Sequence, residues 1–116
     1  MPVRSLNSSV LKWPDAKTVD AAVRLWVKTA MQHRDDVLKI GYFGSYARGD
    51  WGVGSDLDLI IIVKNSSQPS KKRLLEWDVT KLPVAVDVLV YTKVEWESRH
   101  ATRFYQTVMR EAVWIY

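Results

Sequence analysis

Three aspartates are the residues in this sequence best suited to chemistry. Asp56 and Asp58 lie two positions apart at the start of an apolar segment, and Asp87 lies inside another. Alternate residues of a strand leave the same face of a sheet, so Asp56 and Asp58 can share one cation. Carboxylates at this spacing repel each other unless a metal lies between them. The pattern therefore predicts a site for a divalent cation.

Asp87 is surrounded by apolar residues in the segment 84–91. In a central strand an uncompensated carboxylate is costly, and aspartate is a poor strand former. Asp87 is then either a structural carboxylate with its own partner or a third ligand. If the strands 57–63 and 84–91 are neighbours, the three carboxylates can converge. The presence of all three favours the metal site.

All five glycines lie within residues 41–54. Gly44 and Ser45, between a strand and a short helix, can direct a backbone N–H group and a hydroxyl at a phosphate. A flexible hairpin loop is the alternative. The segment is not a Walker loop, because Asp50 follows Gly49 where lysine is needed, and no Gly-x-Gly-x-x-Gly follows the first strand.

The chemistry that fits these residues is displacement at phosphorus. Two Mg²⁺ ions assist such a displacement by activating the attacking oxygen and by holding the triphosphate with its leaving group. Mg²⁺ uses only one or two carboxylates and completes its shell with water and substrate phosphates. Three aspartates therefore suffice for two ions.

Hydrophobic periodicity predicts an α/β (α+β) fold, in which a sheet is flanked by helices. Residues 1–14 form an N-terminal arm whose Trp13 could dock, and Thr18 is the expected N-cap of a helix that ends at His33. The other predicted elements are strands at 37–43, 57–63, 84–91 and 112–115, a short helix capped by Ser70 that ends near Trp77, and a helical region at 93–109. The basic run 71–73 is expected to lie in solvent, and one domain is expected over 1–116.

The composition of the sequence limits which ligands the protein can bind and where it is expected to be located. The sequence has no cysteine, so a thiolate metal site and a disulfide framework are excluded. A net charge of +4 suits a polyanionic ligand such as a nucleotide, an RNA or an acidic partner. The first residues lack a signal-peptide pattern, and the aliphatic run 59–63 is too short to span a bilayer. A cytoplasmic protein without membrane contact is expected.

The glycine-rich segment and the paired aspartates together resemble a known signature. Residues 44–49 and 55–59 are similar to the Gly-Ser-x-Ala-Arg-Gly and Ser-Asp-x-Asp-Leu motifs of the minimal nucleotidyltransferases in the polymerase-β-like superfamily. Asp87 fits the third carboxylate of that family. Residues 111–116 are similar to its usual ending, although Ala112 replaces a common glycine. The resemblance implies a small mixed sheet flanked by helices.

The resemblance also implies roles for the matched positions. It places a triphosphate at Gly44 and Ser45 with Arg48 and Ser55, metal at Asp56 and Asp58, and either metal or the proton of the acceptor hydroxyl at Asp87. Arg48 could instead be a structural ion-pair former, and Trp51 could either pack or contact a nucleotide. His33 and His100 match nothing in the signature.

Stand-alone domains of this kind resemble the antitoxin half of the HEPN/MNT toxin–antitoxin pairs. The resemblance implies Mg²⁺-dependent transfer of AMP from ATP to a hydroxyl on a HEPN ribonuclease, which neutralises that toxin. One alternative is an antibiotic nucleotidyltransferase, which modifies a small molecule. Another is a non-catalytic antitoxin that only binds its HEPN partner or an RNA. Direct binding of nucleic acid is not expected for the leading hypothesis.

Overall fold

The computed structural model describes residues 13–116. The end of the predicted arm docks: the indole Nε1 of Trp13 donates to the hydroxyl of Tyr46 at 3.0 Å. That hydroxyl in turn donates to the carbonyl of Pro14 at 2.9 Å. The remainder of the arm, residues 1–12, lies outside the described part of the chain. The sequence left the docking of Trp13 open, and the structure shows it packed at Tyr46.

The first helix, α1, spans Ala16–Ala30 and is followed by a 3-10 turn at Met31–His33. Its start was predicted wrongly. Asp15, and not Thr18, is the N-cap, because the Asp15 carboxylate accepts the backbone N–H of Thr18 at 2.8 Å. Aspartate and threonine are both good caps, and the backbone at Asp15 is extended, one turn earlier than the apolar pattern indicated.

Within residues 13–116, four strands form one mixed sheet: β1 (Val37–Phe43), β2 (Leu57–Val63), β3 (Val86–Thr92) and β4 (Val113–Trp114). The order is β3-β2-β1-β4, with β1 antiparallel to both β2 and β4 and β2 parallel to β3. The predicted bounds of β1 and β2 are confirmed. β3 begins two residues later than the predicted 84–91, because its pairing with β2 begins only where Leu57 meets Val86. β4 is shorter than the predicted 112–115, because only Val113 and Trp114 pair with β1.

The sheet is covered on both faces, as expected for the apolar strand β2. Leu57, Leu59 and Ile61 belong to a core that includes the buried face of α1. Ile60 and Ile62 belong to a second core on the opposite face. The expectation that Asp87 lies in a central strand is wrong, however, since β3 is an edge of the described sheet and Asp87 is exposed there. Water can therefore stabilise the negative charge of Asp87, which does not depend on a protein or metal partner alone.

The shorter helices are α2 (Ser45–Arg48), α3 (Ser70–Arg73), α4 (Lys93–Ser98) and α5 (Arg103–Glu111), and a 3-10 turn at Leu74–Glu76 follows α3. The helical region predicted at 93–109 is divided into α4 and α5, because Thr102 begins a new helix by accepting the backbone N–H of Tyr105. Ser70 does not cap α3, whose N-cap is Pro69 without a side-chain hydrogen bond. No helix within residues 13–116 is long and apolar enough to span a membrane.

The basic run 71–73 differs from its predicted solvated state at one position. Arg73 is buried, with 6% of its surface exposed. Its guanidinium forms an ion pair with Glu95 at 2.5 Å and donates to the carbonyl of Gln68 at 2.9 Å. Glu95 also completes the capping box that begins α4 with Thr92. Arg73 thus connects α3 to the start of α4.

Candidate functional site

The parallel strands β2 and β3 bring the predicted aspartates together. Asp58 and Asp87 are directly paired in the register of the two strands, and Asp56 immediately precedes β2. All three line one cleft of about 450 Å³. The same cleft is lined by Gly44, Ser45 and Arg48, so every predicted site residue except Ser55 meets there.

Ser55 is not among the residues that line the cleft, and its hydroxyl forms a hydrogen bond within the glycine-rich loop. Ser55 Oγ accepts the backbone N–H of Gly52 at 2.8 Å. The backbone N–H of Ser55 donates to the carbonyl of Gly52 at 3.0 Å. Reciprocal bonds of this kind fix a turn, so the geometry assigns Ser55 to shaping the approach to Asp56 and not to the lining of the cleft.

Asp58 is the carboxylate in the least favourable environment of the three. Burial raises its pKa above the ordinary value, and the neighbouring charges of Asp87 and Asp56 raise it further, while Arg48 acts in the opposite direction. Asp56 and Asp87 are exposed. A positive charge placed in the cleft would relieve the repulsion that these three side chains exert on one another.

Gly44 connects β1 to α2 in a conformation that other residues rarely adopt, with φ of 79°. Its backbone lies against the Asp58 carboxylate, and a Cβ at residue 44 would overlap Asp58 Oδ2. Glycine is therefore required here by both backbone conformation and space. This close approach sets the glycine loop and the carboxylates side by side.

Glu111 is the site residue that the sequence did not reveal. It is the last residue of α5, and its side chain is 14% exposed. Its Oε1 accepts the backbone N–H of Gly44 at 3.1 Å and lies 3.3 Å from Arg48 Nη1. The only sequence feature that could have indicated Glu111 is its place in residues 111–116, which resemble the usual ending of the nucleotidyltransferase family. Glu111 occupies two donors that an incoming phosphate could use.

Arg48 forms structural ion pairs and also lines the cleft. Its guanidinium forms ion pairs with Asp50 at 3.1 Å and with Glu111 at 3.3 Å. Its side chain is nevertheless 47% exposed and lines the cleft. Exposed ion pairs stabilise a fold little, whereas a guanidinium binds phosphate strongly. Arg48 is therefore available to exchange these carboxylates for a phosphate.

Trp51 and the two histidines lie apart from the cleft lining. The ring of Trp51 stacks on Tyr46, with centroids 5.8 Å apart and an interplanar angle of 7°. This contact favours the packing interpretation of Trp51. His33 ends the 3-10 turn after α1, and His100 Nδ1 lies 3.0 Å from the carbonyl of Glu97.

The side chains of the cleft suit a hard divalent cation that shares its ligands with substrate. Within residues 13–116, no group of three carboxylate or histidine side chains is arranged to hold one ion by itself. Mg²⁺ does not need such a group, because it usually takes one or two carboxylates together with phosphate oxygens and water. The all-oxygen donor set and the mutual repulsion at Asp58 fit this mode of binding.

Comparisons with known proteins agree with this arrangement. A structure of a candidate nucleotidyltransferase from Sulfolobus solfataricus shares the fold, with a TM-score of 0.61 and 19% identity over 85% of this chain and 80% of the other. A chain of a toxin–antitoxin solved with AMP-PNP has a TM-score of 0.55 and 17% identity over 80% of this chain and 72% of the other.

Sequence comparison defines the family. No curated protein sequence matches the chain. The family model described as nucleotidyltransferase domain matches residues 25–115, which include β1, the glycine-rich loop, all three aspartates and Glu111. The protein therefore belongs to the nucleotidyltransferase domain family.

Proposed function

We propose that this nucleotidyltransferase transfers AMP from ATP to a hydroxyl on a partner protein and acts as the antitoxin of a HEPN ribonuclease. The observation that carries the transfer is the single cleft in which paired Asp58 and Asp87 face the glycine loop and Arg48. Members of this family act on nucleoside triphosphates with a divalent metal. The protein target and the antitoxin role are the parts that experiment must test.

Each side of the cleft has a separate task in this proposal. Gly44, Ser45 and Arg48 bind the triphosphate through a backbone N–H, a hydroxyl and a guanidinium. Asp56 and Asp58 hold the divalent cation, which when bound neutralises phosphate charge and polarises the phosphorus centre. Asp87 is exposed and faces Asp58 across the strand pair, which leaves it free to accept a proton.

The reaction breaks one phosphoanhydride bond and forms one phosphoester bond. The acceptor hydroxyl oxygen forms a bond to the α-phosphorus of ATP while the bond from that phosphorus to the oxygen bridging the α- and β-phosphates breaks. The hydroxyl proton passes to the Asp87 carboxylate, and pyrophosphate leaves with the electron pair of the broken bond. The Arg48 guanidinium stabilises the negative charge that develops on the phosphates.

Two observations support ATP and a protein acceptor. The toxin–antitoxin with a similar fold was solved with AMP-PNP, an analogue of ATP. The net charge of +4 would favour association with an acidic partner surface. AMP added near the ribonuclease site of a toxin would introduce an anionic phosphate there, which would repel RNA and block its access.

Intact-mass spectrometry tests the proposal. A HEPN-type protein is coexpressed with the unmutated protein, with the double variant Asp56→Asn/Asp58→Asn, or with the control Asp35→Asn, which removes an exposed carboxylate outside the cleft. We expect the mass of one AMP on the partner with the unmutated protein and with the control, and none with the double variant.

The other outcomes distinguish the competing functions. Neutralisation of the toxin by all three proteins without added mass would mean that binding alone is the function. Transfer of a nucleotide to an aminoglycoside, with none to the protein partner, would identify a small-molecule nucleotidyltransferase instead.

A further inference from the structure

Helix α2 carries Ser45 and Arg48, so its position decides where these two groups of the cleft lie. It has four residues, too few for a helix that is stable by itself, and tertiary contacts must therefore fix it. Of these four, all in the described part of the chain, Tyr46 alone is buried, with 2% of its surface exposed. Tyr46 does not line the cleft. Its side chain is thus the main anchor of α2 in the core.

The hydroxyl of Tyr46 is bound by the end of the N-terminal arm. It accepts the indole N–H of Trp13 at 3.0 Å and donates to the carbonyl of Pro14 at 2.9 Å. These bonds join residues that are 33 and 32 positions apart in the sequence. The hydroxyl uses its one donor and one of its acceptor sites on the arm, so two bonds fix its place.

The ring of Tyr46 also contacts the glycine-rich loop that follows α2. It stacks on Trp51, with centroids 5.8 Å apart and an interplanar angle of 7°. Between these two aromatic residues the chain turns at Gly49, which has a φ of 89° and donates its N–H to the carbonyl of Ser45 at 2.9 Å. Stacked aromatic rings stabilise a contact beyond the area that they bury. Tyr46 therefore connects the arm, α2 and the loop that leads to Asp56.

We infer that Tyr46 is a positioning residue for the triphosphate, and that Trp13 and Pro14 act through it to hold α2 in the conformation that binds phosphate. This inference rests on the proposed binding of triphosphate at α2. The Tyr46 hydroxyl lies outside the cleft, so it acts on ATP only by way of Ser45 and Arg48 on the same helix. The arm thereby controls the affinity of a site that it does not line.

A purely structural role for the same hydrogen bonds is the alternative. Loss of a buried hydrogen bond lowers the stability of a domain wherever it occurs, but it does not by itself weaken ATP binding by the folded protein. A positioning role does weaken it, because ATP then binds only the fraction of molecules in which α2 is correctly placed. A buried tyrosine whose hydroxyl is bonded elsewhere separates the two roles.

The test variant Tyr46→Phe removes the hydroxyl and keeps the ring that stacks on Trp51. Tyr42→Phe is the matched control, since Tyr42 is also buried, with 4% exposed, and its hydroxyl donates to Asp20 of α1 at 2.7 Å. Trp13→Phe, which removes the indole N–H on the arm, is the second test variant. Calorimetric titration of the whole chain with ATP or adenosine in the presence of Mg²⁺, together with thermal melting, measures affinity and stability separately.

We expect Tyr46→Phe to bind ATP about three- to tenfold more weakly than the unmutated protein, a factor that corresponds to one hydrogen bond of ordinary strength. Trp13→Phe should change the affinity in the same direction. Adenosine has no phosphates for α2 to bind, so its affinity should be the same for every variant. Tyr42→Phe should bind ATP normally, even where its melting temperature falls as far as that of Tyr46→Phe. Unchanged ATP affinity in either test variant, or an equal loss in Tyr42→Phe, would overturn the inference.

Transfer of AMP to a partner protein separates this inference from the proposed function. At saturating ATP, Tyr46→Phe and the unmutated protein should transfer AMP at the same rate, because bound ATP then holds α2 in place, whereas the KM for ATP should be higher in the variant. Weaker ATP binding by Tyr46→Phe, with no transfer by either protein, would support the positioning role and count against the function. Equal transfer by both proteins at ATP concentrations below KM would support the function and refute the positioning role.

Discussion

The backbone of Gly44 lies so close to the Asp58 carboxylate that any Cβ at residue 44 would overlap Asp58 Oδ2. The loop assigned to the triphosphate and the carboxylate assigned to the metal are therefore in direct contact. Residue 44 also has a φ of 79°, in the region that favours glycine. In the proposed function, this contact would couple phosphate binding to the position of the Asp58 carboxylate.

Gly44→Ala should consequently damage both the loop and Asp58. We expect nucleotide binding to be lost and the free energy of unfolding to fall by about 1–3 kcal/mol, because a strained backbone and a displaced carboxylate are combined. Gly52→Ala is the matched control, since a Cβ there meets nothing within 4 Å. ATP titration and thermal melting of both variants measure the two effects. Normal ATP affinity in Gly44→Ala would show that the contact does not matter for binding.

Asp58→Asn should separate activity from stability. The pKa of Asp58 is raised above its ordinary value of 3.8 by burial and by the charges of Asp87 and Asp56. Its ionised form therefore destabilises the fold, and stability declines as pH rises from 3.8 through the raised pKa. At neutral pH without divalent metal, Asp58→Asn should melt at a higher temperature than the unmutated protein.

Asp58→Asn should also lower the turnover rate by at least about 100-fold. Mutating a residue that only supports a metal ligand typically lowers activity or metal affinity by 10- to 100-fold, and a ligand itself should matter at least as much. Asp35→Asn, at an exposed position outside the cleft, should change neither property. Melting in EDTA and pyrophosphate release with Mg²⁺ and ATP are the measurements. If Asp58→Asn melted at a lower temperature than the unmutated protein in EDTA, repulsion among the three aspartates would not be what raises the pKa of Asp58.

The parts of the structure that the sequence could predict depend on local patterns. Strands β1 and β2 are short apolar runs bounded by turn residues, and their bounds agree with those predicted. The glycine loop and the paired aspartates lie within fifteen positions of Gly44. Their meeting in one cleft needs only a single antiparallel strand pair.

The parts that could not be predicted depend on distant contacts or on competition between similar local signals. Glu111 reaches Gly44 across 67 positions, and nothing near either residue indicates the pairing. The placement of β3 at an edge follows from the order of the whole sheet. Asp15 and Thr18 are both residue types that cap helices well, so residue type alone does not decide where α1 begins. The burial of Arg73 follows from its distant partner Glu95.

Arg48→Ala tests the availability of this side chain for phosphate. Its ion pairs with Asp50 and Glu111 are exposed, so the melting temperature should change little. Affinity for ATP should weaken by about tenfold or more, because a charge-assisted contact to phosphate is lost. Arg110→Ala, an exposed arginine of α5 outside the cleft lining, is the control. A large fall in melting temperature with unchanged affinity would identify Arg48 as structural.

Glu95 should make the fold sensitive to acid. Its hydrogen-bonded pairing with Arg73 lowers the pKa of Glu95 from 4.5 to about 2. Because the folded pKa is the lower one, the stabilisation is present above pH 4.5 and is lost as pH falls towards 2. The Glu95 side chain is 41% exposed, so solvent limits the contribution to about 1–2 kcal/mol.

Glu95→Gln should therefore unfold more readily at pH 7 and lose less of its stability on acidification. Glu97→Gln, at an exposed position of the same helix, is the control. Urea unfolding at neutral pH and at about pH 3 measures the difference. Parallel losses of stability in Glu95→Gln and the unmutated protein would exclude Glu95 as the source of the acid sensitivity.

Glu111→Gln tests whether Glu111 competes with the triphosphate. Oε1 of Glu111 accepts the N–H of Gly44 and pairs with Arg48, which are the donors assigned to phosphate. Its negative charge would also repel phosphate. Glutamine keeps the shape of the side chain and removes the charge. We expect ATP to bind about three- to tenfold more tightly, since exchanging a charge-assisted hydrogen bond for a neutral one is worth on the order of 1 kcal/mol.

The comparison with adenosine makes this result specific. Adenosine has no phosphates to compete with Glu111, so its affinity should be the same for Glu111→Gln and the unmutated protein. A control variant, Glu97→Gln, should bind ATP normally, because Glu97 lies outside the cleft lining. Calorimetric titration measures ATP binding by all three proteins and adenosine binding by Glu111→Gln and the unmutated protein. Weaker ATP binding by Glu111→Gln would reverse the interpretation: Glu111 would then hold Gly44 and Arg48 in the geometry that phosphate needs, and its carboxylate would assist binding instead of opposing it.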